Sequence, residues 1–310
     1  MRLDDFLLFT TIFTSAGIGI LFPELCTNFQ PYILYCMMLV LFLSFLRINF
    51  RSLLDTSAVA LRRLCVLTFV KLIALPAVLY WITLLILPDY AVPVLLLSGI
   101  SSGVVGPFIA TLVNADVTQV LKMVIVTSLI VPFSLPPLVK MLAGSNMAIP
   151  IWEMIRLLAI VVFVPISAVM CVRRFFPNVP EKILAKHFPI SLAMFAIINL
   201  GVFSKYSDFF FQNPGQLGIC LLVAYILSII YYVSGFLVAW RRDHAEKLAA
   251  GISMGIMNNV LVIVFSSRFF GPLEPTLAAL YMFPFFTMIV PLRLLKKTPQ
   301  LVKRAHLQKP

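Results

Sequence analysis

Charged residues are scarce in this sequence of 310 residues, since Asp, Glu, Lys and Arg together make up only 12% of it. Soluble domains contain about 25% charged residues. The hydrophobic share is 61% and the mean hydropathy is +1.04. These values exclude an ordinary soluble domain. Apolar runs of about 20 residues recur along the chain and predict an all-α polytopic membrane protein.

Paired cysteines and catalytic motifs are also missing. The five cysteines are scattered without CxxC spacing, which excludes a disulfide framework and a cysteine metal site. No HExxH motif, phosphate-binding glycine-rich loop or GxSxG motif occurs. No pair of carboxylates lies in the middle of an apolar run. We therefore predict that the protein is not an enzyme, that it needs no cofactor and that it holds no metal cluster.

Ten membrane spans are predicted from the apolar runs. The first span is expected to be retained, because Met1–Asp5 is nearly neutral and lacks the basic start of a cleavable signal peptide. The predicted spans lie at roughly 5–22, 29–46, 64–88, 91–115, 117–143, 149–172, 184–204, 215–240, 245–268 and 274–294.

The net charge of +12 does not indicate a nucleic-acid partner, because the basic residues cluster in short loops. They follow spans two, six and eight and fill the tail, whereas the opposite loops carry little more than Lys205 and Arg268. This pattern follows the positive-inside rule and predicts that both termini are cytoplasmic. We expect an integral protein of the plasma membrane, the inner membrane of a bacterium. Between spans two and three, Ser52–Leu61 is expected to lie along the inner surface as a short amphipathic segment.

Small and polar residues interrupt two of the spans. Span four carries Gly103, Gly106 and Pro107 in its middle, and Pro107 is expected to break the helix because it lacks a backbone donor. Span nine reads GISMGIMNNV around Asn258 and Asn259. Neighbouring asparagines point to different faces of a regular helix, which favours local unwinding at membrane depth. The alternative is that the two amides join neighbouring helices by hydrogen bonds.

The two interrupted spans hold the same position if the ten spans divide into five plus five. A unit of five spans is odd, so the two halves would have opposite orientations in the membrane. Interrupted helices at matching places in inverted halves indicate the binding site of a secondary transporter. The predicted substrate-binding residues are Gly103, Gly106, Pro107, Asn258 and Asn259. The alternative is that glycine and proline are simply common in membrane helices.

Three features resemble the bile acid:sodium symporter family: the order of spans, the Asn114-Ala115-Asp116-Val117 sequence after the first break, and the Gly-x-x-Asn break of span nine. The resemblance covers about residues 1–295 and implies two inverted repeats with spans four and nine crossing where they unwind. Family members move organic anions, often with two sodium ions. The implied division is panel helices 1–62, core helices 63–146, panel helices 147–212, core helices 213–295 and a basic cytoplasmic tail 296–310.

Several positions that hold sodium ligands in the family carry other residues here. The family's glutamate and glutamine of span nine fall on Ser253 and Met257, and its hydroxyl ligands of span five fall on Val120 and Val124. Its Ser-Asn pair of span four falls on Gly106-Pro107. Sodium is a hard cation that needs several oxygen ligands. The resemblance therefore implies a divergent member with degenerate sodium sites and without the usual sodium coupling.

Lys71 suggests what replaced the ion. Aligned on Pro76 of span three, it stands where the family has a sodium-ligating glutamine. An ammonium group is a monovalent cation with three donors, so we hypothesise that Lys71 replaces a sodium ion and joins spans three, four and nine. A buried lysine can also release its proton, which leaves proton coupling open. The alternative is that Lys71, roughly 10 Å from the cytoplasmic end of its span, snorkels to the inner surface.

These observations predict a secondary active transporter of an anion working by alternating access, and the resemblance implies an organic anion that is either bile-acid-like or a small carboxylate. Half-helices that begin at a break present backbone N–H groups and a positive dipole end, which favour an anion. The expected partners are the anion and membrane lipid, and no oligomer is implied. Two alternatives remain: a receptor or scaffold that keeps the fold without transporting, and a channel.

Overall fold

The computed structural model describes residues 3–46, 57–144, 150–176, 180, 183–184 and 187–295. Regular structure in these ranges is helical, and no β-strand occurs within them. A π-helical turn lies at Val70–Ala74 and two 3-10 turns lie at Thr27–Tyr32 and Pro88–Tyr90. The α-helices are α1 (Leu3–Leu21), α2 (Pro23–Cys26), α3 (Ile33–Leu46), α4 (Ala58–Phe69), α5 (Leu75–Ile86), α6 (Ala91–Gly99), α7 (Gly106–Val113), α8 (Val117–Ala143), α9 (Ile151–Phe175), α10 (His187–Lys205), α11 (Ser207–Gln212), α12 (Pro214–Val238), α13 (His244–Gly255), α14 (Asn259–Phe269), α15 (Leu273–Leu280), α16 (Met282–Thr287) and α17 (Ile289–Leu294).

Seven helical runs in the described ranges are long and apolar enough to cross a membrane, judged by length and composition. Each coincides with one of the predicted spans. Large apolar side chains such as Leu85, Trp152 and Leu294 project from the helices with most of their surface exposed, as lipid-facing side chains do. The seven runs are Pro23–Leu46, Ala58–Ile86, Val117–Ala143, Ile151–Phe175, Phe188–Lys205, Pro214–Val238 and Leu273–Leu294.

The third predicted span begins earlier than the apolar pattern indicated. The helix starts at Ala58 because the hydroxyl of Ser57 caps it, accepting a hydrogen bond from the backbone N–H of Ala60 at 3.3 Å. Residues 58–61 therefore belong to this helix, and the predicted separate surface segment Ser52–Leu61 is wrong in its second half. Residues 52–56 of that segment lie outside the described residues. Lys71 is thus 13 residues from the start of its helix.

The helices form two groups that pack side by side. In the first group, α10 packs against α1 and α3, and α3 packs against α9. The second group contains α4–α8 and α12–α17, and its strongest pairs are α12 with α13, α5 with α6 and α14 with α15. The groups meet where α8 lies on α9 and where α14 reaches α3, α9 and α10. The helices α7 and α13 make their main contacts within the second group.

The packing of α12 against α13 in the second group depends on a glycine. A Cβ atom on Gly235 of α12 would lie 2.5 Å from the carbonyl oxygen of Ala250 in α13. Real Cβ atoms do not approach backbone that closely, so any side chain here would push the two helices apart. Small residues at such contacts let helix backbones approach within a membrane.

We expect Gly235→Ala to lower the thermal stability of the detergent-solubilised protein, at a cost of about 1–3 kcal/mol for overpacking. Gly218 lies in the same helix with open space around its Cβ position, so Gly218→Ala is the matched control and should leave the melting temperature unchanged or raised. Equal melting temperatures for the two variants would show that α12 and α13 do not pack at Gly235.

Candidate functional site

Both predicted interruptions are present in the structure. Residues 100–105 separate α6 from α7, and residues 256–258 separate α13 from α14. The unwound residues of span four end just before Pro107, at the place where a proline cannot continue a preceding helix. Pro107 lies in the first turn of α7, where a missing backbone N–H costs nothing because that donor has no partner in the helix. Asn259 is likewise the first residue of α14, so only Asn258 lies in the second break.

The two breaks pair with each other through their backbones. The N–H of Gly103 donates to the carbonyl of Ile256 at 2.7 Å, and the N–H of Asn258 donates to the carbonyl of Ser101 at 3.1 Å. Ser102 and Met257 form an antiparallel bridge between these bonds. Unwound backbone at membrane depth has to find partners inside the protein. Each break therefore satisfies polar groups that the other break leaves open.

Gly103 is required by this pairing. A Cβ atom on it would lie 2.5 Å from the carbonyl oxygen of Met257. Gly106 is less constrained, because its Cβ would meet a methyl group of Val120 at 3.0 Å, and a side chain can move more easily than backbone. The close approach at Gly103 is thus a backbone contact that only glycine permits.

Three hydroxyl side chains that the sequence analysis did not select hold the breaks in place. The Ser102 hydroxyl donates to the carbonyl of Ser253 at 2.6 Å, and the backbone N–H of Ser102 donates to the Thr127 hydroxyl at 3.0 Å. The Tyr281 hydroxyl donates to the carbonyl of Gly255 at 2.7 Å. These carbonyls lie in the last turn of α13, where helical partners are missing. No sequence signal separates these hydroxyls from the many others in the spans.

Lys71 is fully buried and points into the crossing. Its Nζ donates to the carbonyl of Ser98 at 3.3 Å, contacts the sulfur of Met257 and lies 5.6 Å from the centre of the Tyr231 ring. The side chain does not reach the surface, so the snorkelling alternative is wrong. The predicted ion-site residues Lys71 and Met257 are in direct contact, while Ser253 joins them only through Ser102.

The surroundings of Lys71 in the described part of the chain offer partners to an ammonium group but no carboxylate. Ser98 lies in the last turn of α6, where the helix dipole is negative and carbonyls lack helical partners. The Tyr231 ring adds a cation–π contact. Among the described residues, no Asp or Glu oxygen lies within 4.0 Å of the ammonium. The positive charge at the crossing is therefore not neutralised by an acidic neighbour.

Several buried polar groups around the breaks have no hydrogen-bond partner in the described part of the chain. They are Ser101 Oγ, Ser253 Oγ, Asn258 Nδ2 and Asn259 Oδ1. Since an unpaired buried polar group costs about 1–3 kcal/mol, these groups are ready to bind water or a ligand. The result disfavours the alternative that Asn258 and Asn259 join neighbouring helices.

The start of α7 does not offer the free amides that the sequence analysis expected. The N–H of Gly106 donates to the carbonyl of Gly103 at 2.9 Å, and the N–H of Phe108 donates to the carbonyl of Val105 at 3.1 Å. A tight local turn therefore satisfies these donors before a ligand arrives. Asp116 has the structural role of a cap, accepting from the N–H of Gln119 at 3.1 Å at the start of α8.

Comparison with known proteins links this arrangement to one family. Residues 33–213 match the sequence model of the Sodium Bile acid symporter family, which is more than half of the chain. The matched segment includes Lys71 and the first break and ends before the second break. No curated protein matches the chain.

We expect Gly103→Ala to separate the two breaks, because the added methyl group would meet the Met257 carbonyl. Hydrogen–deuterium exchange should then increase at residues 101–103 and 256–258. Gly106→Ala is the graded control, since its methyl group meets only a side chain. If exchange in both segments is the same for the two variants, the backbone pairing described here does not hold the crossing together.

Proposed function

Because this chain belongs to the Sodium Bile acid symporter family, whose members are membrane transporters, we propose that it carries an organic anion across the membrane by alternating access. The observation that carries the proposal is the pairing of the breaks at residues 100–105 and 256–258, with unpaired polar groups beside it. Secondary transporters bind substrate at such discontinuous helices near the bilayer midplane.

The proposed architecture has ten membrane crossings arranged as two inverted repeats of five. Seven long helical runs account for seven crossings, α1 for one, and the pairs α6–α7 and α13–α14 for two. The broken crossings are then the fourth of each repeat. The proposed boundaries remain 1–62 and 147–212 for the panel and 63–146 and 213–295 for the core.

Packing supports a panel that moves against a core. The panel corresponds to the group of α1, α3, α9 and α10, and the core corresponds to the other group. Besides the packing of α8 on α9, the panel is reached by α14, the second half of the second broken helix, which contacts α3, α9 and α10. At that end, Lys205 Nζ donates to the carbonyl of Ser267 at 2.5 Å, and the Tyr206 hydroxyl donates to the same carbonyl at 3.1 Å. At the opposite end of the crossing, α7 and α13 make no comparable contact with the panel in the described residues, which supports a state open at that end.

The end that is open in this state is the proposed cytoplasmic end. Arg63 Nη1 pairs with Glu246 Oε1 at 2.8 Å, and the N–H of Asp116 donates to the carbonyl of Ala245 at 3.2 Å. His244 Nε2 lies 2.7 Å from the carbonyl of Leu295. These contacts bring three predicted inner loops and the start of the C-terminal tail to one end of the protein, in support of a common, cytoplasmic side for them. The proposed location is a plasma membrane with both termini cytoplasmic.

The electrostatics of the crossing support an anionic substrate. Lys71 contributes a buried positive charge, and the unpaired Nδ2 of Asn258 is a donor. The family name indicates a bile-acid-like anion, and a small carboxylate presents the same charge. The substrate-binding residues of the proposal are Gly103, Gly106, Pro107, Asn258 and Asn259. Gly103 and Pro107 shape the backbone, and the side-chain amides of the two asparagines bind the substrate.

We further propose that Lys71 is a permanent substitute for a coupling sodium ion. Its ammonium uses the Ser98 carbonyl at the end of α6, a position suited to a cation. Val120 and Val124, at positions of family hydroxyl ligands, are fully buried apolar side chains and cannot coordinate an ion. Ser253 in place of an acid leaves the charge of Lys71 uncancelled. Transport would then proceed without sodium.

The proposal is tested by counterflow in sealed liposomes that contain the purified protein and a panel of labelled bile acids, keto acids and small carboxylates. We expect saturable counterflow of at least one anion. Asn258→Ala combined with Asn259→Ala should raise the KM, because the substrate loses its buried amide partners. Asn213→Ala is the control, since that amide bonds locally to the Phe209 carbonyl. Binding without flux would indicate a receptor, and flux without saturation a channel.

Replacing sodium by choline should leave wild-type transport unchanged. We expect Lys71→Gln to lower transport about tenfold or more, because the Ser98 carbonyl and the substrate lose a cation. Lys140→Gln, at an exposed position of α8, is the control. Size-exclusion profiles of both variants distinguish loss of function from misfolding. Unchanged activity and ion dependence in Lys71→Gln would refute the proposed role of Lys71 while leaving the carrier assignment intact.

A further inference from the structure

A cavity lies apart from the crossing, between α4, α8, α12 and α13. Its volume is about 300 Å³, and we call it the arginine cavity. Arg62, Arg63 and Arg242 line it together with Glu246 and Gln119. Its walls belong to helices of the second group only, so it is not part of the space between the two groups.

The charges of the arginine cavity are unbalanced. Three guanidinium groups face one carboxylate, which leaves two positive charges. Arg63 Nη1 pairs with Glu246 Oε1 at 2.8 Å, while Arg242 Nε lies 3.9 Å from Oε2 of the same carboxylate. Within the described residues, Arg62 has no carboxylate in ion-pair reach. Arg62 and Arg242 are therefore available to an anion. Guanidinium groups bind phosphate oxygens in a bidentate manner.

The rim of the cavity is apolar and exposed. Val59, Val66 and Val238 line it and are 60%, 47% and 37% exposed. Trp240 follows in the chain and is 68% exposed, as is typical of an aromatic side chain at the interface of a membrane protein. The cavity thus offers positive charge within and hydrocarbon contacts at its mouth, which a soluble anion would not use.

We propose that the arginine cavity binds the phosphate headgroup of an anionic phospholipid, whose acyl chains lie against Val66 and Val238. Basic cavities between membrane helices near the bilayer surface recognise such headgroups. Inorganic phosphate shares the chemistry of the headgroup, but it leaves the apolar rim uncovered. The helix that starts at Ala58 continues to Lys71, and α13 continues to Ser253, so a bound lipid braces the helix that carries Lys71 and the first half of the second broken helix.

The test uses Trp240 as a reporter. The chain has three tryptophans, and Trp81→Phe with Trp152→Phe leaves only the one beside the cavity. The full chain is reconstituted in phosphatidylcholine vesicles with increasing acyl-brominated phosphatidylglycerol or, separately, acyl-brominated phosphatidylcholine. We expect Trp240 to be quenched at lower mole fractions of the anionic lipid, with a preference of about fivefold for each arginine.

Arg62→Gln with Arg242→Gln should abolish the preference while keeping the Arg63–Glu246 pair. The matched control is Lys140→Gln with Arg156→Gln, which removes two exposed charges elsewhere on α8 and α9 and should keep the preference. Equal quenching by both lipids, or an equal loss in both double variants, would overturn the proposal. Removal of the preference by millimolar inorganic phosphate would overturn its assignment to a lipid.

Discussion

The crossing of the two broken helices depends on two backbone hydrogen bonds, from Gly103 to Ile256 and from Asn258 to Ser101. In the hydrocarbon region an unpaired backbone group has no water with which to form a hydrogen bond. Neither break is therefore stable alone, and the two have to form together at close distance. That requirement explains why Gly103 has no tolerance for a side chain and why hydroxyls of other helices hold the remaining carbonyls.

Lys71 adds a charge to this neutral backbone arrangement. Burying an ammonium is costly unless dipoles and aromatic faces replace its hydration, and the last turn of α6 with the Tyr231 ring provides both. No acid in the described residues lies close enough to pair with it, and in the proposed function the ammonium acts on the anion. In the proposed function, a fixed cation of this kind would take the place of a mobile ion, which relates Ser253 and Met257, at positions of family sodium ligands, to the proposed choice of an anion.

The crossing and the arginine cavity use the same two structural elements. The run Ala58–Ile86 carries Arg62 and Arg63 near one end and Lys71 further along, and α13 carries Glu246 before Ser253. The contact between Arg63 and Glu246 therefore joins the same two segments as the contact between Lys71 and Met257, since Met257 follows α13 in the second break. The two proposed binding sites, one at the membrane surface and one at the crossing, would thus be supported by the same two segments.

The sequence alone was sufficient for the membrane class, the two interrupted spans and the family, because hydropathy and small-residue patterns are local properties of the chain. It did not determine where Lys71 points, since Ser98 and Met257 lie 27 and 186 residues away along the chain. It associated Pro107 with the first break, but only the structure showed that the missing donor of this residue falls in the first turn of α7. Ser102, Thr127 and Tyr281 became recognisable only when folding brought them to unpaired backbone groups, a carbonyl for Ser102 and Tyr281 and an N–H for Thr127, because a hydroxyl acquires its role from the neighbour that it meets.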